Sequence, residues 1–475
     1  MVYETTIGLE VHVQLKTRTK MFCGCATGYG EAPNTLVCPV CLGYPGAMPV
    51  MNREAIGLTV VSGLMLGCDI AHWSKFDRKS YFYPDMPKNY QISQYDKPLC
   101  LGGGVKIDLE DGTEKTIGLT RIHLEEDVGK NTHFGASSGV DFNRAGHPLM
   151  EIVTEPDLSS PEEAYAFLQA LKQILLYAGV SDCNLEEGNM RCDVNVSMRP
   201  VGQQELGTKA ELKNLNTFKG VFHALQYEQE RQAALLDRGE RVVQETRRWD
   251  PDRGETSSMR TKEDAHDYRY FPEPDLLPVV LEDAQIDAWR KALPEAPRER
   301  RARFVQTYGL PAYDAGVLVA EREVADFFEE AVRAGGNTKA VSNWIMTDVL
   351  RVLSEKGVGI LALPLTAASL GALTKLVEDG AVNMTGAKEI FAVLANKGGD
   401  PARLLDELGL AQVSDTGALE KMVDEAISAN PKSVADYRNG KAAAAQYLMG
   451  QVMRLSRGKA NPPMVLEMLK QKLDQ

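Results

Sequence analysis

The sequence predicts an α+β chain: an antiparallel β-rich domain over residues 1–293, an all-helical domain over 294–407 and a small helical tail over 408–475. Two observations predict the order. Hydrophobic residues alternate with period two in the first part, and helical periodicity replaces that pattern after about Pro294. A third concerns chemistry: the eight cysteines end at Cys192 and the seven histidines at His266. Thiol and imidazole chemistry is therefore confined to the first three fifths of the chain.

The first element is a strand. Ile7, Leu9, Val11, Val13 and Leu15 share one face, which leaves Glu10, His12 and Gln14 on the other. Lys106 to Leu124 reads as a hairpin turning at Asp111-Gly112, with Ile122 and Leu124 on one side of its second strand and Arg121, His123 and an exposed Glu125 on the other. Ser160-Pro161-Glu162-Glu163 combines a capping box with proline at the first helical position, and Gly179 ends the helix it starts. Met190, Cys192, Val194, Val196 and Met198 form another alternating strand, opposite Arg191, Asp193, Asn195, Ser197 and Arg199. A helix follows from Phe218 to Asp237, and Pro272, Pro274 and Pro278 break the chain before helices resume near Asp283. Later helices are expected over Val324–Ala334, Ala387–Asn396, Leu419–Ser428 and Lys441–Arg457, separated by Gly-Gly or Asn-Pro, with a joint near 400–415.

The chain has 475 residues, 44% of them apolar, and a net charge of −13. That composition fits several globular domains and excludes a fibre or a disordered tail. No run of 18 apolar residues occurs, and the N-terminus lacks the basic start and apolar run of a signal peptide, so no membrane role and a cytoplasmic location are expected. The acidic balance opposes nucleic-acid binding, with one local exception. From Pro431 to Gln475 there are eight Lys or Arg against three acidic residues.

Cys23-Gly-Cys25 and Cys38-Pro-Val-Cys41 are the strongest local signal. Two close pairs joined by a loop rich in Gly, Pro and Asn suit a closed tetrahedral thiolate site, with zinc (Zn²⁺) as the structural ion; four buried thiols are the plainer reading. Cys68, Cys100, Cys183 and Cys192 lack such spacing and are expected in the core. A zinc deaminase would need His, Glu and the cysteine pair in another order, so it is excluded.

A distributed constellation joins Glu10, His12, Glu125, Glu151 and Asp193. Glu151 lies in the apolar run Pro148–Val153, where an ionised carboxylate needs a partner, and a divalent cation such as Mg²⁺ or Mn²⁺ would serve. Solvated faces of ordinary strands account for the spacing equally well, with His123 and Glu126 as rim residues. Lys79, Tyr81 and Tyr83 alternate on one strand face near Lys88 and Tyr90, a surface able to stack a base or hold phosphate, or simply core tyrosines. The Arg-rich segments Glu245–Trp249 and Arg253–Thr256 have no evident role. There is no G-x-x-x-x-G-K-[ST], no G-x-G-x-x-G and no G-x-S-x-G, so any use of ATP proceeds without a P-loop or dinucleotide fingerprint, and the common serine hydrolases are excluded.

The chain resembles the B-subunit (GatB) family of the aspartyl/glutamyl-tRNA amidotransferases. The residues that carry the likeness are IGLEVHVQL from Ile7, CPVCLGYPG from Cys38, YPDMPKNYQISQYD from Tyr83, HLEEDVGK from His123, DFNRAGHPLMEIVTEPD from Asp141, EGNMRCDVNVSMRP from Glu187, GTKAELKNLN from Gly207, ETRRWD from Glu245, HDYRYFPEPDL from His266 and GQVMRLSRGKANP from Gly450. His147, where an apolar residue is expected, is a small departure. The resemblance implies that residues 1–293 form the catalytic, cradle-like domain. It implies ATP- and Mg²⁺-dependent phosphorylation of the side-chain carboxylate of Glu or Asp misacylated on tRNA(Gln) or tRNA(Asn), then displacement of phosphate by ammonia.

The resemblance also implies the partners: the amidase that releases ammonia from glutamine (the A subunit), the small C subunit, the misacylated tRNA and, beyond these, the matching aminoacyl-tRNA synthetase. It assigns Glu10, His12, Glu125, Glu151 and Asp193 to magnesium and catalysis, with Glu125 also meeting the arriving ammonia. Lys79, Tyr81 and Lys88 fall to the tRNA 3′ end or the ammonia path. The zinc site, found in only some members, would brace a loop beside the sheet, and the basic tail would contact tRNA. Two rivals are a non-catalytic tRNA-binding scaffold with a structural zinc site and a stand-alone metal-dependent phosphatase or nuclease.

Overall fold

The alternation that starts at Ile7 forms the strand Tyr3–Gln14, the inner member of a large sheet in a computed structural model that describes residues 2–185, 187–261, 268–412, 416–439, 441, 443–456 and 458–474. The backbone divides into two units, Met1–Ala296 and Pro297–Gln475.

In the first unit Tyr3–Gln14 pairs antiparallel with Pro148–Thr154 on one side and Met190–Pro200 on the other. The sheet extends through Glu114–Glu126, Cys100–Leu101 and Asp69–Ile70 at one end, and through Ala210–Lys213, Glu245–Asp250 and Glu255–Thr261 at the other. Among the described residues every pairing in it is antiparallel except Ala210–Lys213 with Glu245–Asp250, which is parallel, so the sheet is mixed there. Gly104–Asp108 completes the expected hairpin, and Gly112 in its turn has φ +83°, a conformation that glycine adopts without strain.

One sheet face is apolar. Ile7, Leu9, Val11 and Val13 are at most 1% exposed and cluster with Ile122, Leu124, Met150, Ile152, Val194 and Val196. Leu168 and Leu171 from the helix Pro161–Tyr177, and Val221 and Leu225 from Phe218–Asp237, join the same cluster. Each such side chain contributes about 1.5–3 kcal/mol by leaving water, whereas a one-residue slip would bury Glu10 and His12 instead. The core thus fixes which side chains stand on the polar face. Cys68, Cys100, Cys183 and Cys192 are buried, as their spacing predicts.

The helix Pro161–Tyr177 is capped by Ser160, whose hydroxyl accepts from Glu163 N–H at 3.2 Å. The reciprocal arm differs from a simple capping box: the Glu163 carboxylate accepts from the N–H and hydroxyl of Ser159, one residue earlier. A second, small sheet of Phe271–Pro272, Asp77–Ser80 and Tyr90–Ser93 touches the end of Glu114–Glu126. The strand holding Lys79 stops at Ser80, so Lys79, Tyr81 and Tyr83 do not share a strand face. Pro84 and Pro87 cannot donate to a ladder, and the chain leaves it just before them. His266 and Asp267, part of one of the family motifs, lie outside the described residues.

The second unit is helical from Pro297–Tyr308 to Pro462–Leu473. The expected helices are Arg322–Arg333, Met384–Lys397, Thr416–Ala429 and Ala443–Leu455; Ala442 and Arg457 lie outside the described residues. Leu419, Val423, Leu448, Val452, Val465 and Leu469 form a separate apolar cluster. Part of the basic charge near the end is spent locally, since Lys472 lies 3.0 Å from Glu420 and 2.6 Å from Asp424. Among the described residues no helix is long and apolar enough to cross a membrane.

Candidate functional site

Register alone gathers the polar side chains. Directly opposed residues of an antiparallel pair project to the same side, and so do residues two apart on one strand. His12 opposes Glu151, and Glu151 opposes His123 on the next strand. Glu10 opposes Asp193, and Glu125 lies two residues beyond His123. All five expected residues, Glu10, His12, Glu125, Glu151 and Asp193, therefore stand on one face of three or more neighbouring strands.

Within that face the closest group is His12, Glu125 and Glu151, whose ligand atoms lie within 4.8 Å of one another. His12 Nε2 is 3.3 Å from Glu151 Oε2, and His123 Nε2 is 3.5 Å from the same oxygen and 3.8 Å from Glu125 Oε2. Burial works against a charged His12, but the Glu151 carboxylate, with Glu125 and Asp193 behind it, raises the imidazole pKa above its ordinary value. Burial likewise pushes Glu151 up, yet His123, His12 and Lys79 outweigh it and hold the carboxyl well below the carboxylate range. Glu125 is lowered in the same way against its burial, by His123 and Lys79. Glu10 goes the other way: burial and the negative charges of Glu151 and Asp193 raise it, although Asn195 Nδ2 donates to it at 3.0 Å.

Two carboxylates and one imidazole, converging and mostly buried, are a donor set that could hold a hard divalent cation. Glu10 and Asp193 are outside this inner group. Asp193 accepts from Lys213 Nζ at 2.5 Å.

Several side chains differ from their expected placement. Glu125 is 3% exposed instead of lying on an open face, because Ser93 of the small sheet contacts it while Gln91 and Gln94 bond the backbone of its neighbours Glu126 and Leu124. Ser93 Oγ donates to Glu125 Oε2 at 3.2 Å, and Gln91 Nε2 donates to the Glu126 carbonyl at 2.7 Å. His123 and Glu126 are buried for the same reason and are not rim residues. Lys88 does not project into open space; its ammonium pairs with the buried Glu126, whose Oε1 also accepts from Ile92 N–H at 2.9 Å. Lys79 lies over the Tyr268 ring at 4.9 Å, and burial, which lowers its pKa, is outweighed by the field of Glu125. Tyr81 and Tyr83 stand 5.9 Å apart, tilted by 33°. Arg247, in an Arg-rich segment without an evident role in the sequence, reaches Glu228 at 3.0 Å, a structural pair between the sheet and the helix Phe218–Asp237.

Cys23, Cys25, Cys38 and Cys41 converge, with their sulfurs within 4.8 Å of one another. Cys38 N–H donates to Cys41 Sγ at 3.2 Å, and the buried Lys20 ammonium lies 3.7 Å from that sulfur. The Cys41 thiol is pulled down to about 4, first by Cys23 and then by these donors. Four convergent sulfurs beside a buried cation fit a tetrathiolate ion. Lys20 is not predictable as part of this site, because nothing local in the sequence marks it as buried. The loop between the pairs is stitched to residues 140–143: Asn34 Nδ2 donates to the Val140 carbonyl, Asn34 Oδ1 accepts from Phe142 N–H, and Asn143 Nδ2 donates to the Ala32 carbonyl.

Comparison with known proteins identifies the family. The family model described as the GatB/GatE catalytic domain matches residues 5–287, and one described as the GatB domain matches residues 326–473. The B subunit of aspartyl/glutamyl-tRNA(Asn/Gln) amidotransferase from Halorhodospira halophila is 54% identical over 477 residues, covering 100% of both chains. The protein of the same name from Carboxydothermus hydrogenoformans is 51% identical over 476 residues, 99% of each chain.

Proposed function

The chain belongs to the GatB family, the B subunits of the aspartyl/glutamyl-tRNA(Asn/Gln) amidotransferases, and we propose that its chemistry is done on the polar face around His12, Glu125 and Glu151. The family's activity is glutamine-dependent, ATP-driven transamidation of Glu-tRNA(Gln) or Asp-tRNA(Asn) within a heteromeric assembly, so this chain is an enzyme component of protein synthesis. The carboxylate on the tRNA is a poor electrophile because oxide is a poor leaving group. Transfer of the γ-phosphoryl group of ATP to it creates phosphate as leaving group, which ammonia then displaces to give the amide.

Phosphoryl transfer asks the protein for positioning and charge neutralisation more than for covalent work. His12, Glu125 and Glu151 would hold Mg²⁺, with Glu10 and Asp193 as further acidic partners on the same face. When bound, that ion supplies positive charge to the phosphate oxygens. Lys79, whose pKa the field of Glu125 raises against burial, borders with Tyr81 and Lys88 the path of the tRNA 3′ end or of ammonia. The four cysteines would hold Zn²⁺ in a closed site that braces the 26–37 loop and takes no part in the reaction. The 1–293 segment is the catalytic domain, 294–407 the helical domain, and 408–475 the tRNA-contacting tail. Its partners are the amidase (the A subunit) together with the small C subunit, and the cytoplasm is the place of action.

The observation that carries this reading is the inner group of His12, Glu125 and Glu151 within 4.8 Å. A tRNA-binding scaffold would gain nothing from converging buried carboxylates, which cost stability unless a cation joins them. The test is Gln-tRNA formation from Glu-tRNA(Gln) by the complex with the A and C subunits, for wild type and Glu125→Gln. Loss of product with glutaminase retained is the expected result. Product at the wild-type rate would remove this face from the chemistry.

A further inference from the structure

The row of opposed residues that joins His123, Glu151 and His12 continues one strand further, where His12 opposes Arg191. Arg191 is therefore a cation on the same face as the inner group, with no part in holding its ion. Its surroundings are specific. Nη2 lies 2.8 Å from Asp127 Oδ1, about a third of the side chain (34%) remains exposed, and Nε is buried without a hydrogen-bond partner.

Asp127 is a fixed mount. It is 2% exposed; Oδ1 also accepts from Val128 N–H at 2.9 Å, while Oδ2 accepts from Gln14 Nε2 at 2.7 Å and lies 3.6 Å from Arg144 Nε. Arg144 is tied in turn to the carbonyls of Val128 and Gly129. With every direction around Asp127 taken, the guanidinium is held by one corner, and its Nε–H is left with an unmet need. Burial opposes its charge, but Asp127, with Glu125 and Asp193 further off, more than offsets that.

Three other cations near this face are engaged. Lys213 is spent on Asp193 and Glu211, Lys88 on Glu126, and Lys79 lies on the Tyr268 ring. Arg121, on the same face, also has a buried Nε without a hydrogen-bond partner, but it opposes Val153 and has no ion pair among the described residues; Arg191 combines partial exposure, a carboxylate mount and a buried N–H without an acceptor. A planar fork of donors suits the oxygens of a phosphoryl group, which spread laterally as it moves.

We propose that Arg191 is a catalytic residue of phosphoryl transfer, donating from its Asp127-mounted guanidinium to the non-bridging oxygens of the γ-phosphoryl group as it passes from ATP to the side-chain carboxylate. The bond from phosphorus to the β,γ-bridging oxygen breaks and its electron pair leaves with ADP. The new bond forms from a carboxylate oxygen, and no proton moves. Asp127 acts through Arg191 and is a positioning residue. This assignment rests on the function proposed above and adds a protein-supplied cation to it.

The test uses the complete complex with the A and C subunits, following ADP formed in the presence of Glu-tRNA(Gln). Arg191→Gln should lower kcat for ADP formation by about a hundredfold or more, with KM for ATP changed less than threefold and glutaminase retained. Arg191→Lys should recover little, and added guanidinium should partly restore Arg191→Ala, which a purely structural role would not allow. Wild-type ADP formation by Arg191→Gln, or an Arg191→Ala defect that guanidinium leaves untouched, overturns the assignment. Glu151→Gln is measured beside them. If it alone is inactive, only the role of Arg191 falls; if it too is fully active, the reading of the whole face falls.

Discussion

His12 and Glu151 stand directly opposite each other on paired strands, with Nε2 3.3 Å from Oε2. Their separation in sequence is closed by the sheet, and the contact is enforced by the apolar residues on the reverse side. Val11, Val13, Met150 and Ile152 are all buried at 0% exposure, so neither strand can slip to relieve the polar pair. The functional face and the hydrophobic core are two sides of one register.

Asp127 provides a pH dependence with a defined sign. Burial raises its pKa, but Arg191 and Arg144 outweigh burial and depress it below the ordinary 3.8. A depressed carboxylate contributes stability that is complete above the unfolded value and is lost as pH falls through the folded one. Asp127→Asn should cost about 3 kcal/mol at pH 7 by leaving its cations uncompensated. Thermal unfolding of both proteins should show that difference shrinking as pH drops below about 4. A constant gap down to about pH 2 would contradict the assignment.

Cys38→Ser, or stripping the complex with a strong chelator, should lower the melting temperature and open the 26–37 loop to protease, while tRNA-dependent ADP formation by the surviving folded protein continues. The reason is the stitching of that loop to residues 140–143, which relies on the four sulfurs to close it. Limited proteolysis with and without added zinc reads this directly. Loss of activity without loss of structure would give the cysteines a chemical role.

Gly43 is packed against Lys88. Its φ is +68°, and a Cβ placed there would come 2.4 Å from Lys88 Cγ. Gly43→Ala should therefore cost about 1–3 kcal/mol and displace Lys88 from Glu126. Denaturant unfolding gives the first quantity. An unchanged midpoint would mean that the Cys38–Gly43 turn yields freely.

Removal of residues 411–475 should weaken tRNA binding and flatten its salt dependence while glutaminase persists. Cationic contacts to phosphate release counterions, so each one lost reduces the slope of log K against log salt. Part of the charge is already neutralised by Glu420 and Asp424 around Lys472, which makes the expected slope smaller than a count of basic residues implies. Binding isotherms at several salt concentrations decide it, and equal slopes for both proteins would place the tRNA contacts elsewhere.

What can be read from the sequence depends on distance along the chain. Period-two alternation places Glu10 and His12 on the side opposite Ile7 to Val13, because strand faces are a local property. The cysteine pairs are legible for the same reason. Alternation puts Glu125 on an exposed face because it cannot register that a separate sheet packs there, with Ser93 on Glu125 and Gln91 on the Glu126 carbonyl. Lys88 and Glu126, 38 residues apart, leave no sign of their pairing. The mount of Arg191 on Asp127 is invisible too, since it depends on strands that meet only in the folded sheet.

The inner position of Tyr3–Gln14 also bears on how the chain is made. Among the described residues Tyr3–Gln14 pairs in the large sheet only with Pro148–Thr154 and Met190–Pro200, both made well after it. At about 5–20 residues per second, it waits on the order of 10–40 s before both neighbours exist. Through that interval the strand carrying Ile7, Leu9, Val11 and Val13 lacks both of its sheet neighbours. The polar residues between them, Glu10 and His12, thus interrupt a nascent apolar strand before translation supplies its partners.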